Sequence, residues 1–133
     1  SLGASWNGAG TLVVYAFADI EGYCKAGAYT GNGDADGPFV YTGFRPALVT
    51  TKRATVSTGG FLVHDNVRDT YNPSKEILQW NADGAEFNSA NDRVDFLANG
   101  FKVRSSNGGI NADGSVYVYI AMAHNPFKYA TAR

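Results

Sequence analysis

Turn-forming residues punctuate this chain, and no stretch between them carries the pattern of a long helix. Asn7-Gly8, Gly31-Asn32-Gly33, Gly59-Gly60, Asn72-Pro73, Asp83-Gly84, Asn99-Gly100, Gly108-Gly109, Asp113-Gly114 and Asn125-Pro126 recur along its length. Glycine and asparagine tolerate the left-handed backbone that tight turns need, and Asn-Pro ends a regular element. Short apolar runs lie between these breaks, at residues 11–18, 23–29, 38–42, 46–52, 61–64, 94–97, 101–104 and 116–123. Residues 76–80 fit a strand or one helical turn. Asn99-Gly100 between two apolar runs is a strong hairpin signal. The pattern predicts an all-β domain of about eight or nine short strands, a β-sandwich of jelly-roll or concanavalin-like type.

Composition supports this reading. The 133 residues include 16 Gly, 8 Tyr and 8 Phe, and only 17% are charged. Aromatics suit pleated strands and glycines suit their turns. A chain of this length buries a core without disulfides or metals. Cys24 is the single cysteine, so neither an internal disulfide nor a cysteine zinc site can form. The net charge is −1, and the 11 Lys and Arg are scattered apart from Lys52-Arg53, which argues against nucleic acid as a partner. No apolar run reaches the roughly 18 residues of a membrane span, and no basic segment precedes residues 12–18 as in a signal peptide, so membrane insertion is not expected. The chain opens with Ser, which suggests a piece of something longer.

The two ends resemble each other. Gly10-Thr11-Leu12-Val13-Val14-Tyr15-Ala16-Phe17-Ala18 is echoed by Gly114-Ser115-Val116-Tyr117-Val118-Tyr119-Ile120-Ala121-Met122-Ala123. The offset of about 104 residues is one sandwich length. Residues 1–20 are therefore read as the closing strand of a preceding module or a linker, and residues 21–133 as the sandwich module. An elongated tandem array fits this arrangement better than a compact enzyme does.

Several stretches carry a wider likeness. These are Gly27-Ala28-Tyr29-Thr30-Gly31-Asn32-Gly33, Gly37-Pro38-Phe39-Val40-Tyr41-Thr42-Gly43-Phe44-Arg45-Pro46-Ala47, and His64-Asp65-Asn66-Val67-Arg68-Asp69. Asp95-Phe96-Leu97-Ala98-Asn99-Gly100-Phe101-Lys102-Val103-Arg104 and Asn125-Pro126-Phe127 continue it. Over residues 23–133 the chain resembles a C-terminal module of tailed-phage virion surface proteins, of the tail-fibre or tailspike kind. The resemblance implies a concanavalin-like sandwich on the phage particle surface. It implies other virion subunits as partners, a homo-oligomer with a trimer favoured, and contact with the host, a surface glycan among the candidates. It carries no catalytic residues over.

Individual residues offer candidate chemistry. His64, Asp65, Arg68 and Asp69 cluster at a strand end. They read either as a polar sugar site, with Asp65 and Asp69 as a hydrolytic carboxylate pair, or as a loop pinned by Asp–Arg pairs. Asn32, Asp34 and Asp36 before Gly37 copy the start of a calcium loop, but Gly43 stands where the bidentate acid belongs, so a weak calcium site is the most they offer. Tyr117 and Tyr119 share one strand face. They suit sugar stacking if exposed, and core or interface packing if covered. Trp80 and Trp6 are candidate contact anchors. His124 is far from His64 in sequence, which disfavours a metal site. There is neither a G-x-S-x-G elbow nor a phosphate-binding G-x-x-x-x-G-K-[ST] loop. The expectation is a non-enzymatic virion module contributing to assembly and host attachment, with no cofactor. A lectin-like glycan-binding module and a glycan depolymerase are its alternatives.

Overall fold

The computed structural model describes residues 15–55 and 59–126. Nine strands lie among them: β1 (Cys24–Thr30), β2 (Phe39–Tyr41), β3 (Pro46–Arg53), β4 (Leu62–Asp65), β5 (Glu76–Gln79), β6 (Phe87–Asn88), β7 (Val94–Leu97), β8 (Gly100–Val103) and β9 (Val116–Ala123). They form a six-stranded sheet in the order β1-β9-β3-β4-β5-β6 and a three-stranded sheet in the order β2-β8-β7. Every pairing is antiparallel. The fold is all-β, consistent with a β-sandwich.

Alternation along β9 defines the two faces of the larger sheet. Tyr117, Tyr119 and Ala121 are buried, whereas Val116 and Val118 are exposed. Val49 and Thr51 of β3 pair with Ala121 and Tyr119, and Leu62 and His64 of β4 pair with Thr51 and Val49. All of these side chains therefore share the inner face. The small sheet supplies Val40, Val94, Phe96, Phe101 and Val103 from the other side. Phe101 meets Tyr29 edge-on with centroids 6.1 Å apart, and Tyr119 edge-on at 5.3 Å. Fully burying an aromatic or branched side chain contributes about 1.5–3 kcal/mol, so this layer supplies most of the cohesion.

Residues 76–80 resolve as a strand, β5, followed by a turn at Trp80. The β7–β8 hairpin forms where Asn99-Gly100 foretold it, with a different role for the glycine. The loop is Ala98-Asn99, and Gly100 already pairs with Leu97 and Tyr41. A Cβ on Gly100 would collide with the Val40 carbonyl oxygen and the Phe39 ring, so glycine is needed there for close packing rather than for the turn. Residues 11–14 of the first expected strand lie outside the described residues, and residues 15–18 form no strand. Asp19 and Ile20 are tied to the edge of β1. Asp19 Oδ1 accepts the Ala26 N–H at 2.7 Å, and Ile20 bridges to Cys24 around Gly22, whose φ is 70°.

The loops at one end of the sandwich are knotted by Asn111, which is fully buried. Its Nδ2 lies 2.7–2.8 Å from Asn32 Oδ1, Asp34 O and Ser105 O, and its Oδ1 accepts the Asn32 N–H at 2.9 Å. A buried amide satisfied on both sides fixes the 31–37 loop against the 105–114 loop.

Candidate functional site

At one end of the inner face the small sheet no longer covers the larger one. Arg53 ends β3 beside Tyr117, Leu62 pairs with Gln79, and Phe87 pairs with Ile77. Strand register therefore puts Arg53, Leu62, Gln79 and Phe87 on the face that elsewhere carries the core. The opposing wall comes from Asp92 and from Gly108 and Gly109. Between them lies a cleft of about 310 Å³.

Glycines bring polar groups close in this cleft. A Cβ on Gly109 would lie 2.6 Å from Asp92 Oδ1, and one on Gly60 would lie 2.6 Å from Gln79 Nε2. Gly59 takes a φ of 93°, a backbone that other residues resist. The Arg53 guanidinium is held by Nε donating to Thr55 Oγ1 at 3.3 Å and Nη2 donating to Ser115 Oγ at 2.7 Å. Asp92 Oδ2 accepts from Ser89 Oγ at 3.2 Å, while its buried Oδ1 has no hydrogen-bond partner among the described residues. Burial raises the Asp92 carboxyl above its ordinary range, and the Ser89 hydroxyl opposes that shift only in part. The result is one cationic fork, one amide and one carboxyl around an apolar floor of Leu62 and Phe87. Such a set suits a ligand with a hydroxylated edge and a C–H face. Among the described residues Asp92 is the one carboxylate in the lining, whereas glycoside hydrolysis by the usual route takes two.

The residues singled out in the sequence fall elsewhere. His64 is fully buried among core side chains, with Nε2 3.1 Å from the Asp92 carbonyl oxygen, and burial pushes its pKa down to about 4. Asp65 accepts the N–H groups of Val67 at 3.0 Å and Arg68 at 2.8 Å, and it pairs with the Arg68 guanidinium. Those bonds hold its carboxyl below the usual range against the opposing effect of burial. Arg68 also donates to Glu86 at 2.7 Å and to the Val63 carbonyl at 3.1 Å. Asp69 accepts the Lys75 and Glu76 N–H groups, each at 2.6 Å. The Asp65–Asp69 cluster is thus a pinned loop, and its carboxylates are turned to backbone donors rather than to a shared opening.

Tyr117 and Tyr119 are core residues, 0% and 5% exposed, so neither can stack on a sugar. Trp80 is half-exposed and stacks on Phe61 with centroids 6.4 Å apart. It also shares an apolar cavity of about 380 Å³ with Tyr15, Phe17 and Met122, away from the cleft. Asn32 Oδ1 accepts from Asp34 N and from Asn111 Nδ2, Asp34 Oδ1 accepts from Asp36 N, and Asp36 pairs with Lys102 at 3.0 Å and Arg104 at 2.8 Å. The calcium-like triplet is a self-bonded turn whose last carboxylate already faces two cations. Among the described residues no three His, Cys, Asp or Glu side chains gather as metal ligands. His124 accepts from Asn66 Nδ2 at 2.8 Å, and Trp6 lies outside the described residues.

Arg53, Gln79, Phe87 and Asp92 escape sequence reasoning because they are scattered and follow no motif. The signal in the sequence was the pair of glycine doublets, Gly59-Gly60 and Gly108-Gly109, which read as turns and prove to line one cleft.

The chain belongs to the family described as "Domain of unknown function (DUF7483)", whose model matches residues 2–126. No curated protein and no solved structure gives a significant match.

Proposed function

We propose that this domain is a binding module of a phage virion surface protein, and that it holds a glycan of the host surface in the inner-face cleft without cleaving it. The observation that carries the binding half is the convergence of Arg53, Gln79 and Asp92 over Leu62 and Phe87. Sugars present hydroxyls on their edges and C–H groups on their faces, and this lining answers both. The virion half rests on the resemblance of residues 23–133 to tailed-phage surface modules. Affinity at a single small cleft would be modest, and many copies on one particle would multiply it.

The test is a glycan array probed with the wild-type domain and with Gln79→Ala and Phe87→Ala, both changed at exposed or half-exposed positions. The expected result is specific glycan binding, weakened about tenfold or more by either change, with melting temperature preserved. Absence of binding, or binding indifferent to both changes, removes the proposal.

A second reading, assembly through the opposite face, is favoured by one observation. Phe61, Leu78, Trp80, Val116 and Val118 are each more than a third exposed, and strand register sets Leu78, Val116 and Val118 on the outer face of the large sheet. Such a face suits a further copy of the same module within the particle. Light scattering should give an oligomer, a trimer by preference, that Leu78→Lys dissociates. A wild-type monomer counts against it.

A further inference from the structure

A second groove lies on the far side of the segment that leads from β6 to β7. Phe87 and Asp92 line the inner cleft, while their chain neighbours Asn88 and Arg93 line this groove together with Tyr71, Asn72 and Lys75. Its volume is about 500 Å³.

The charges here do not balance. Arg68 is matched by Asp65 and Glu86, and Arg104 by Asp36 and by Asp95 at 3.2 Å. Asp69 is occupied by the Lys75 and Glu76 backbone N–H groups, and Glu76 Oε1 accepts from Asn88 Nδ2 at 2.6 Å. Lys75 and Arg93 are left with no acidic partner among the described residues, and the buried Arg93 Nε has no hydrogen-bond acceptor there.

Beside these cations stands Tyr71, 86% exposed, the highest value among the large hydrophobic side chains described. Its loop is firmly held. Asn72 clamps the β7 backbone, with Oδ1 accepting the Phe96 N–H at 2.9 Å and Nδ2 donating to the Phe96 carbonyl at 3.0 Å. Ser74 exchanges two backbone hydrogen bonds with Val94, at 2.8 and 3.1 Å. An aromatic ring presented to solvent from a clamped loop loses little entropy on contact, which is the property of a preorganised recognition residue.

We infer that this groove binds an acidic polysaccharide, with Arg93 and Lys75 taking a sugar carboxylate and Tyr71 covering the sugar's C–H face. Arg presents the planar fork that matches a carboxylate, and Lys adds a mobile charge. The open shape suits one or two units of a long chain passing through better than a small enclosed ligand. The site shares the glycan class with the function proposed above but uses none of the cleft residues, so the two can fail separately.

The experiment measures binding of the domain to polygalacturonate and to neutral dextran by surface plasmon resonance, across a salt series. The variants are Lys75→Gln, Tyr71→Ala and the cleft variant Gln79→Ala. Lys75 and Tyr71 are exposed, and Lys75→Gln keeps the backbone N–H that Asp69 accepts, so melting temperature should hold. Polygalacturonate should bind in preference to dextran and weaken as salt rises. Lys75→Gln and Tyr71→Ala should each lose about fivefold to tenfold, and Gln79→Ala should match wild type. Wild-type binding no better than to dextran overturns the inference. So does unchanged binding in both groove variants, or a loss confined to Gln79→Ala, which would move the acidic chain into the inner cleft.

Discussion

The Tyr117 ring lies flat on the Tyr29 ring, centroids 5.2 Å apart and planes within 11°, and both hydroxyls leave the stack to bind one loop. Tyr29 donates to the Ile110 carbonyl at 2.8 Å. Tyr117 donates to the Gly108 carbonyl at 2.6 Å and accepts the Ala112 N–H at 2.8 Å. The core thereby holds the wall of the cleft. Burial and the mutual repulsion of the two hydroxyls push Tyr29's ionisation far above the ordinary tyrosine range, so it stays a neutral donor.

Tyr117→Phe keeps the stack and removes the hydroxyl, leaving the Ala112 N–H and the Gly108 carbonyl without that partner. The expected cost is about 2 to 3 kcal/mol. It should appear as a lower urea midpoint at unchanged slope. A midpoint equal to wild type would mean that water replaces the hydroxyl and that the loop is held from elsewhere.

Gly109→Ala tests the cleft wall itself. The new methyl would sit 2.6 Å from Asp92 Oδ1 and 3.1 Å from Asn107 Oδ1, so the Asp92 side chain or the loop must shift. Glycan affinity should fall by about tenfold, while stability changes by about 1 kcal/mol because the far side of the cleft is open. Full affinity in Gly109→Ala would place the ligand away from Asp92.

The turn residues made the strands readable: all eight breaks that fall within the described residues bound or interrupt elements, and even Glu76–Gln79 obeys the period of a strand. β6 was not legible, because Phe87-Asn88 is two residues in an exposed stretch and pairs only by tertiary placement. The site was hidden for a related reason. Tyr117 and Tyr119 alternate with valine and isoleucine, so the pattern names a shared face without saying which face is inward. Conversely, Arg53 and Gln79 look like solvated strand ends until register aligns them. The Asp65–Arg68 loop was legible as a pinned turn, because Asp and Arg three residues apart bond locally.

Calcium should leave the domain unaffected. Asn32 Oδ1 and Asp34 Oδ1 each accept a turn N–H group, and Asp36 faces Lys102 and Arg104, whose contacts hold its carboxyl below the ordinary range. Millimolar calcium is expected to leave the melting temperature within error of a chelated sample. By contrast, Asn111→Ala strips partners from Asn32 and from the Asp34 and Ser105 carbonyls, and should lose about 3 kcal/mol. A clear rise in melting temperature with calcium would show that the turn reopens around an ion.

Acid should destabilise the fold through His64. The unfolded histidine takes a proton near pH 6.5, whereas the buried ring resists until about 4. Between those values the unfolded state binds more protons, so stability falls as pH falls, by up to about 3 kcal/mol. Asp92 acts in the opposite sense, since its raised carboxyl is disfavoured as an anion and regains stability on protonation. Asp65, held low, adds a further loss only below the ordinary carboxylate range. Urea midpoints from pH 7 to pH 4 should therefore decline in the wild type. In His64→Leu, which keeps an apolar side chain of similar bulk in the core, the decline should flatten. An equal slope in both proteins would assign the acid sensitivity to the carboxylates instead.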